Sequence, residues 1–292
     1  MVAISVERKT AIITSFVAFL LAIAKFIAGV ATGSMAVLSS AIDSLLDMAM
    51  SLFNLFAIQQ SELDPNATFN YGRGKIEGIA ALVEGALIAC SGAFIIYQSV
   101  LNLIDKKPIE DLGMALLAMA LSAIVTICLV VGLTLSAKKT KSLIIRADLL
   151  HYKSDLWTNI GVIVSLGLIA VSGWHFIDGA VSISIAAFII FGAYNIIRDG
   201  VFTLMDRSID EPLVSRIREV LRTAPRVSGY HYLRTRKSAK IYYVEAHLVF
   251  CEAISLKDAH DASDYVEREI AALEPNAKWL ITVHLDPSDD SA

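Results

Sequence analysis

Two pairs of ionisable residues interrupt apolar stretches at helical spacing. Asp43 and Asp47 lie four residues apart in "DSLLD", and His151 and Asp155 lie four apart in "HYKSD". Residues at this spacing share one face of an α-helix. Charge inside a membrane segment is costly, so an ionisable residue there usually serves a function. Each pair is therefore predicted to present two polar groups together on a helix.

The chemistry of these four residues predicts a metal or proton site. Two close carboxylates repel in a low-dielectric site, which favours a proton or a divalent cation between them. One imidazole and three carboxylates make a four-ligand nitrogen and oxygen set of the kind that zinc binds tetrahedrally. Because the ligands must be deprotonated, metal binding releases protons. The pattern thus predicts an exchange of metal for protons.

A second concentration of metal-ligand types lies near the C-terminus. His284 and Asp286 are two residues apart and share a strand face. Imidazole is a common ligand for zinc and its neighbours. Four of the six histidines lie in this region, which favours metal binding there: His231, His247, His260 and His284.

The elements that must position these residues are mostly apolar. The chain has 292 residues, of which 55% are hydrophobic and only 18% charged, and its mean hydropathy is +0.61. A soluble protein carries about a quarter charged residues. A membrane helix needs roughly 20 apolar residues, and six stretches qualify: 10–31, 35–59, 77–104, 112–136, 148–172 and 177–204.

Lysine and arginine predict the orientation of these helices. Basic residues precede the first helix, follow the sixth and lie between helices 2 and 3 and helices 4 and 5, whereas the opposite side has only Lys106 and Lys107. By the positive-inside rule both termini are cytoplasmic. The net charge of −4 gives no reason to expect nucleic-acid binding. The three cysteines are scattered and imply neither disulfides nor a thiolate metal site.

The chain divides into a transmembrane domain, 1–207, and a cytoplasmic domain, 208–292. Helical periodicity after Asp210, two alternating segments around "KSAK", a helix opened by Ser255 and a last strand, "KWLITVHLDP", give the order αββαβ. The predicted fold is a polytopic α-helical membrane protein with a C-terminal cytoplasmic α+β domain, a small sheet with helices on one face.

Beyond composition, several motifs resemble one family. "DSLLD", "HYKSD", "YGRGK" before helix 3, "LMDR" after helix 6, and "LRTR" with "VHLDP" in the tail are similar to cation diffusion facilitators, in particular the bacterial zinc and ferrous-iron efflux branch. The resemblance covers nearly the whole chain. It implies a homodimeric antiporter of divalent metal ions and protons in the lipid bilayer of the inner membrane, with a ferredoxin-like, metallochaperone-like cytoplasmic domain.

The resemblance also implies roles for residues. The transport site would comprise Asp43, Asp47, His151 and Asp155, and a binuclear cytoplasmic site at the dimer interface would comprise His231, His247, His260, His284 and Asp286. Lys75 and Asp206 would form an interlock between the membrane halves. A further metal site of the family, in the loop between helices 2 and 3, is predicted to be absent, because Asn66, Phe69 and Arg73 stand there.

The ligand types favour zinc as the ion, transported and regulatory, with Fe²⁺ and Cd²⁺ behind it and Mn²⁺ or Co²⁺ further back. Two other functions use the same residue types, an intramembrane metallo-hydrolase and a membrane-anchored metal sensor. The hydrolase lacks an HExxH or GxSxG motif, and the sensor leaves the membrane pairs without a purpose. Lys25 and Glu84 are also intramembrane, and either pair with each other or line the path.

Overall fold

The chain forms two compact units, residues 1–201 and 202–292. The computed structural model describes residues 5–32, 35–105, 112–172, 174, 176–275 and 277–289. The first unit is helical, and the second combines two helices with one sheet. Each unit has its own buried apolar clusters, so each is described separately.

Six long helices build the first unit, and their bounds follow the apolar stretches of the sequence. They are α1 (Val6–Thr32), α2 (Met35–Ser61), α3 (Ile76–Asp105), α4 (Leu112–Thr140), α5 (Leu143–Ser172) and α6 (Phe176–Leu204). Within the described residues, five of them contain a stretch long and apolar enough to cross a membrane: α1, α2, α3, α4 and α6. Many large apolar side chains on these helices point outward, among them Phe16, Phe26, Phe94 and Phe188. Outward apolar side chains suit contact with lipid.

Helix α5 differs from the other five because its first half is charged. It has 30 residues, enough to span a bilayer by length, but it carries Arg146, Asp148, His151, Lys153 and Asp155. Two of these residues are the predicted ligands of the transport site. A helix with so many charges lowers its burial cost by facing other helices rather than lipid.

The interior of the first unit holds α5 against its neighbours. Ile144 and Ile145 of α5 are fully buried with Ala57 and Ile58 of α2 and Leu133 of α4. Fully buried Ala81 of α3 packs with Ala147 of α5 and Ile196 of α6. Small residues at these contacts allow the backbones to approach closely. The charged face of α5 is thereby fixed beside α2 and α3.

The second unit has the predicted order αββαβ. Its elements are α7 (Glu211–Thr223), β1 (Gly229–Ser238), β2 (Ile241–Val249), α8 (Leu256–Ala272) and β3 (Lys278–Asp286). Strands β1 and β2 pair antiparallel, and β2 pairs with β3 in parallel, so β2 is central. The core lies between sheet and helices, and its fully buried large side chains are Ile217, Leu221, Val244, Leu248, Val266 and Ile270.

The predicted helix starts have different outcomes. Ser255 caps α8 as predicted, since its hydroxyl accepts a hydrogen bond from the Asp258 backbone N–H at 3.1 Å. Asp210 occupies the N-cap position of α7, but its side chain makes no capping hydrogen bond. The Pro212 ring in the first turn already favours the helical backbone there.

Candidate metal centres

The membrane site joins one face of α2 to one face of α5. The Nε2 atom of His151 lies 3.0 Å from Oδ1 of Asp47 and 3.8 Å from Oδ2 of Asp155. Ligand atoms of all three residues fall within 4.8 Å of one another. The side chains are partly buried. Helical spacing places His151 and Asp155 on one face of α5, and the packing of α5 against α2 brings them to Asp47.

These separations suit a small four-coordinate ion. At metal–ligand distances of about 2.0 Å, the ligand atoms of a tetrahedral zinc site lie about 3.3 Å apart. The observed separations from His151 Nε2, 3.0 and 3.8 Å, bracket that value. Small side-chain movements would thus convert the hydrogen-bonded arrangement into a coordinating one.

The fourth predicted ligand, Asp43, lies one turn before Asp47 on α2. Its side chain is exposed, and it is not one of the three residues whose ligand atoms meet. It interacts electrostatically with Asp155, which places it near the group. The structure thus brings together three of the four predicted residues. Asp43 as a ligand stays a prediction.

Hydroxyl contacts fix the two helices beside the site. The Ser51 hydroxyl and the Tyr152 phenol lie 3.2 Å apart, which links α2 to the residue next to His151. Ser15 of α1 donates to the backbone carbonyl of Ser51 at 3.0 Å. Tyr152 is buried, so its hydroxyl needs such a partner. The contacts limit how far His151 can move from Asp47.

A second polar group beside this site involves residues that sequence reasoning did not connect. Asn54 of α2 donates to Glu84 of α3 at 3.1 Å and to Asp148 of α5 at 3.5 Å. Glu84 thus bonds to Asn54, and Lys25 interacts electrostatically with Asp155. Asp148 lies three residues before His151, and this helical spacing is the feature of the sequence that could have placed Asp148 beside the site.

The cytoplasmic site lies on the sheet. His231 of β1 pairs in register with His247 of β2, which pairs with His284 of β3. Three side chains have ligand atoms within 4.8 Å of one another: His231, His247 and Asp286. The ring centroids of His247 and His284 are 4.7 Å apart. The three strands therefore collect the predicted histidines of β1, β2 and β3.

The buried carboxylate of Asp286 is central to this group. Its Oδ2 lies 3.1 Å from His231 Nε2 and 2.9 Å from His247 Nδ1, whereas its Oδ1 lies 3.0 Å from His284 Nε2. Each oxygen thus faces a different set of imidazoles. A carboxylate so placed has the arrangement needed to bridge two metal ions.

A bulge in β1 and one unpredicted acid complete the surroundings. Between His231 and Arg234 the register shifts, and Tyr232 has a φ of 49°. Bulges often re-aim side chains beside functional sites. Asp289 also contacts His231, with its Oδ1 3.1 Å from Nδ1. Asp289 follows Asp286 by three residues, but nothing in the strand pattern singled it out.

His260 lies on α8 rather than on a strand. Its side chain is exposed and its Nε2 is 3.8 Å from Asp264 on the same helix. The group formed within one protomer in the described chain does not include it. Its predicted role as a ligand remains a prediction.

The other residues singled out by the family resemblance have local partners. The Arg73 guanidinium donates to Gln60 at 2.6 Å and lies over the Phe69 ring, and the Asn66 side chain accepts from the backbone N–H of Phe69. Asp206 accepts from Arg236 at 3.1 Å. Lys75 precedes α3. The absence of the loop metal site and the pairing of Lys75 with Asp206 stay predictions.

Comparison with known proteins agrees with these features. Residues 11–205 match the cation efflux transmembrane domain, and residues 209–288 match the cytoplasmic domain of cation efflux proteins, a dimerisation domain. The chain is 33% identical over 279 residues to cation-efflux pumps FieF of Salmonella paratyphi A (strain ATCC 9150 / SARB42), Salmonella agona (strain SL483) and Salmonella newport (strain SL254). These alignments cover 96% of this chain and 92% of each relative.

The family consists of transporters rather than enzymes, so the prediction that the chain is not an enzyme is confirmed. The dimerisation domain supports the predicted homodimer. The membrane-capable helices make the protein a multi-pass membrane protein. The chain belongs to the cation efflux family, also called the cation diffusion facilitators, whose members move divalent metal ions across membranes.

Proposed function

We propose that the protein exports Zn²⁺ from the cytoplasm in exchange for protons, across the inner membrane of a bacterium. The observation that carries the proposal is the meeting of Asp47, His151 and Asp155 on two adjacent membrane helices. Ionisable groups at this depth are expensive, and here three of them converge from two helices. The FieF relatives are named cation-efflux pumps, which supports the direction of transport.

The ligand set favours zinc among the divalent ions. A neutral imidazole with carboxylates suits Zn²⁺ and, less strongly, Fe²⁺ and Cd²⁺, whereas Mg²⁺ and Ca²⁺ prefer oxygen ligands alone. No cysteine lies among the three residues, which disfavours Cu⁺. The separations of 3.0 and 3.8 Å from His151 Nε2 bracket the value of about 3.3 Å that is expected for a tetrahedral ion of zinc's size.

Proton exchange follows from the chemistry of the same ligands. The coordinating nitrogen of His151 and the two aspartate carboxylates must be free of protons to bind a metal ion, so loading the site releases protons and protonation of the site expels the metal. If the site opens alternately to either side of the membrane, an inward proton gradient drives metal outward. Metal export then requires no energy source other than the proton gradient.

The cytoplasmic site is proposed to hold two regulatory zinc ions per protomer at the dimer interface. Asp286 supports this proposal because its two oxygens face different imidazoles. Ions bound there would stabilise the arrangement of the three strands. Because their occupancy follows the cytoplasmic zinc concentration, the stability of the dimer interface would depend on that concentration.

The direct test is zinc uptake into proteoliposomes that contain a pH-sensitive dye. The wild-type protein should take up zinc with a change of lumenal pH, and Asp155→Ala should abolish both while still eluting as a dimer. Thr158→Ala is the matched control on the next turn of α5, because its hydroxyl bonds only within the helix to the Ser154 carbonyl in the described structure. Zinc flux at the wild-type rate in Asp155→Ala would refute the assignment.

A further inference from the structure

A buried oxygen-rich group lies beside the transport site and has no role in the proposed function. It consists of Asn54 on α2, Glu84 on α3 and Asp148 on α5. The three residues are 2%, 1% and 3% exposed, respectively, so all of them are buried. Two carboxylates at this depth require a compensating partner, because an uncompensated buried charge is strongly unfavourable.

The Asn54 amide currently supplies that partner. Its Nδ2 donates to Oε2 of Glu84 at 3.1 Å and to Oδ1 of Asp148 at 3.5 Å. Both carboxylates thus converge on a single nitrogen atom, at the position between them that a cation would take.

The group nevertheless has more acceptors than donors. Within the described part of the chain, Oδ1 of Asn54 and Oε1 of Glu84 are buried without any hydrogen-bond partner. Both atoms are acceptors, so a positive group would complete the set, and a further acceptor would not. Buried polar atoms in native proteins are nearly always paired, and exceptions commonly mark an unseen water or ion.

A half-turn of the Asn54 amide changes its role. Rotation about its last side-chain bond replaces the N–H₂ group by the carbonyl oxygen, which is a metal ligand. Asn54, Glu84 and Asp148 would then offer oxygen atoms to one point from three helices. The observed arrangement, in which the Asn54 amide donates to both carboxylates, is then the metal-free state of the group.

We propose that Asn54, Glu84 and Asp148 form a second, all-oxygen binding site for a divalent metal ion beside the transport site. Asp148 lies three residues from His151 on α5, about 4.5 Å along the helix. Asn54 lies seven residues from Asp47 on α2, about 10 Å along that helix. On the proposed orientation of the helices, both displacements lead toward the cytoplasm, so the second site receives an ion before the transport site does.

The donor atoms determine how the two sites differ. Carboxylate and amide oxygens without a nitrogen ligand suit harder ions such as Mn²⁺, whereas the imidazole of the transport site favours zinc. The ratio of zinc affinity to manganese affinity should therefore be at least tenfold smaller at the second site. Electrostatic interaction of His151 with both Glu84 and Asp148 couples the occupancy of the two sites.

The proposal builds on the transport-site assignment, but its test removes that site. The starting protein is the full chain with Asp47→Ala, Asp155→Ala and Asp286→Ala, purified in detergent as a dimer. Mn²⁺ is titrated at neutral pH, and free Mn²⁺ is read from its electron paramagnetic resonance signal. One Mn²⁺ per protomer is expected to bind, independently of whether the intact protein passes the transport test.

Three additional variants locate the ion. Glu84→Gln keeps the shape of the side chain and should weaken Mn²⁺ binding at least tenfold. Asn54→Asp adds a third carboxylate and should strengthen binding at least tenfold, which a purely structural hydrogen-bond group would not do. Asp178→Asn is the matched control, because Asp178 bonds to Ser165, which lies about 25 Å along α5 from Asp148.

Two results would overturn the proposal. If the starting protein binds no Mn²⁺, the carboxylates share a proton instead of a metal ion. If Glu84→Gln and Asp178→Asn bind Mn²⁺ as the starting protein does, the ion lies elsewhere. Tighter binding by Asn54→Asp together with loss in Glu84→Gln supports the site.

Discussion

At the scale of single residues, one carboxylate lies between two sets of imidazoles in the second unit. The two oxygens of Asp286 face different imidazoles, with His231 and His247 on Oδ2 and His284 on Oδ1. The side chain of His284 is exposed, as is that of His260. Two ions bound through one carboxylate should therefore depend on different histidines.

Substitutions in the cytoplasmic site should remove its ions in steps. We expect His231→Ala to lose one zinc ion per protomer, because only one set of imidazoles is broken, and Asp286→Ala to lose both. The measurement is zinc content after equilibrium dialysis, in protein whose transport site carries Asp155→Ala. Arg234→Ala, on the same strand, is the control. Loss of the same number of ions in both histidine and aspartate variants would contradict the bridging arrangement.

At the scale of helices, glycines let α6 approach α3. A Cβ atom at Gly200 would lie 2.9 Å from the backbone carbonyl oxygen of Gly78, and one at Gly85 would lie 2.8 Å from Ile197. In a membrane the hydrophobic effect does not drive helices together, so they associate through the van der Waals contacts that a close approach of their backbones allows. The same packing holds Glu84, on α3, in its buried position.

Gly200→Ala should therefore destabilise the membrane unit. The added methyl group meets a backbone oxygen, which cannot turn aside as a side chain can, and overpacking of this kind costs about 1–3 kcal/mol. Gly132→Ala is the matched control, since a Cβ there has nothing within 4 Å in the described structure, and it should be neutral or slightly stabilising. Dimer recovered after a series of heating steps, measured by size-exclusion chromatography, reports the difference. Equal stability of the two variants would show that α6 can shift away from α3 at no cost.

At the scale of the whole molecule, the distribution of basic residues orients the protein. Lys138 and Lys139 lie in the last turn of α4, and Arg146 lies near the start of α5. The positive-inside rule places these ends in the cytoplasm, together with both termini and the αββαβ unit. The proposed zinc sensing by the second unit requires this orientation, because the histidines then face the compartment from which metal is proposed to be exported.

Native Cys251 offers a direct measure of that orientation. It is exposed in the second unit, so after Cys90→Ser and Cys128→Ser a membrane-impermeant maleimide should label it only in permeabilised cells. A control without native cysteines but with Ser172→Cys, at the exposed end of α5, should be labelled in intact cells. Labelling of Cys251 in intact cells would place the C-terminal unit outside and reverse the proposed direction of transport.

The sequence by itself determined the helices, the order of the elements in the tail and which residues are candidate metal ligands. Apolar runs of sufficient length must form helices in a bilayer, because the backbone has no other way to satisfy its hydrogen bonds there. Spacing of four residues then placed His151 with Asp155 on one face, and strand periodicity placed His284 with Asp286. These features depend only on neighbours along the chain.

Only the tertiary structure decided which faces meet. Asn54 and Asp148 are 94 residues apart in sequence, and their contact with each other and with Glu84 depends on how α2, α3 and α5 pack. The sequence left open whether Glu84 pairs with Lys25, and the structure pairs it with Asn54. The bulge that shifts β1 after His231 is likewise a property of the sheet. Periodicity predicts which residues share one face of an element. Which element that face contacts depends on how the elements pack in the folded molecule.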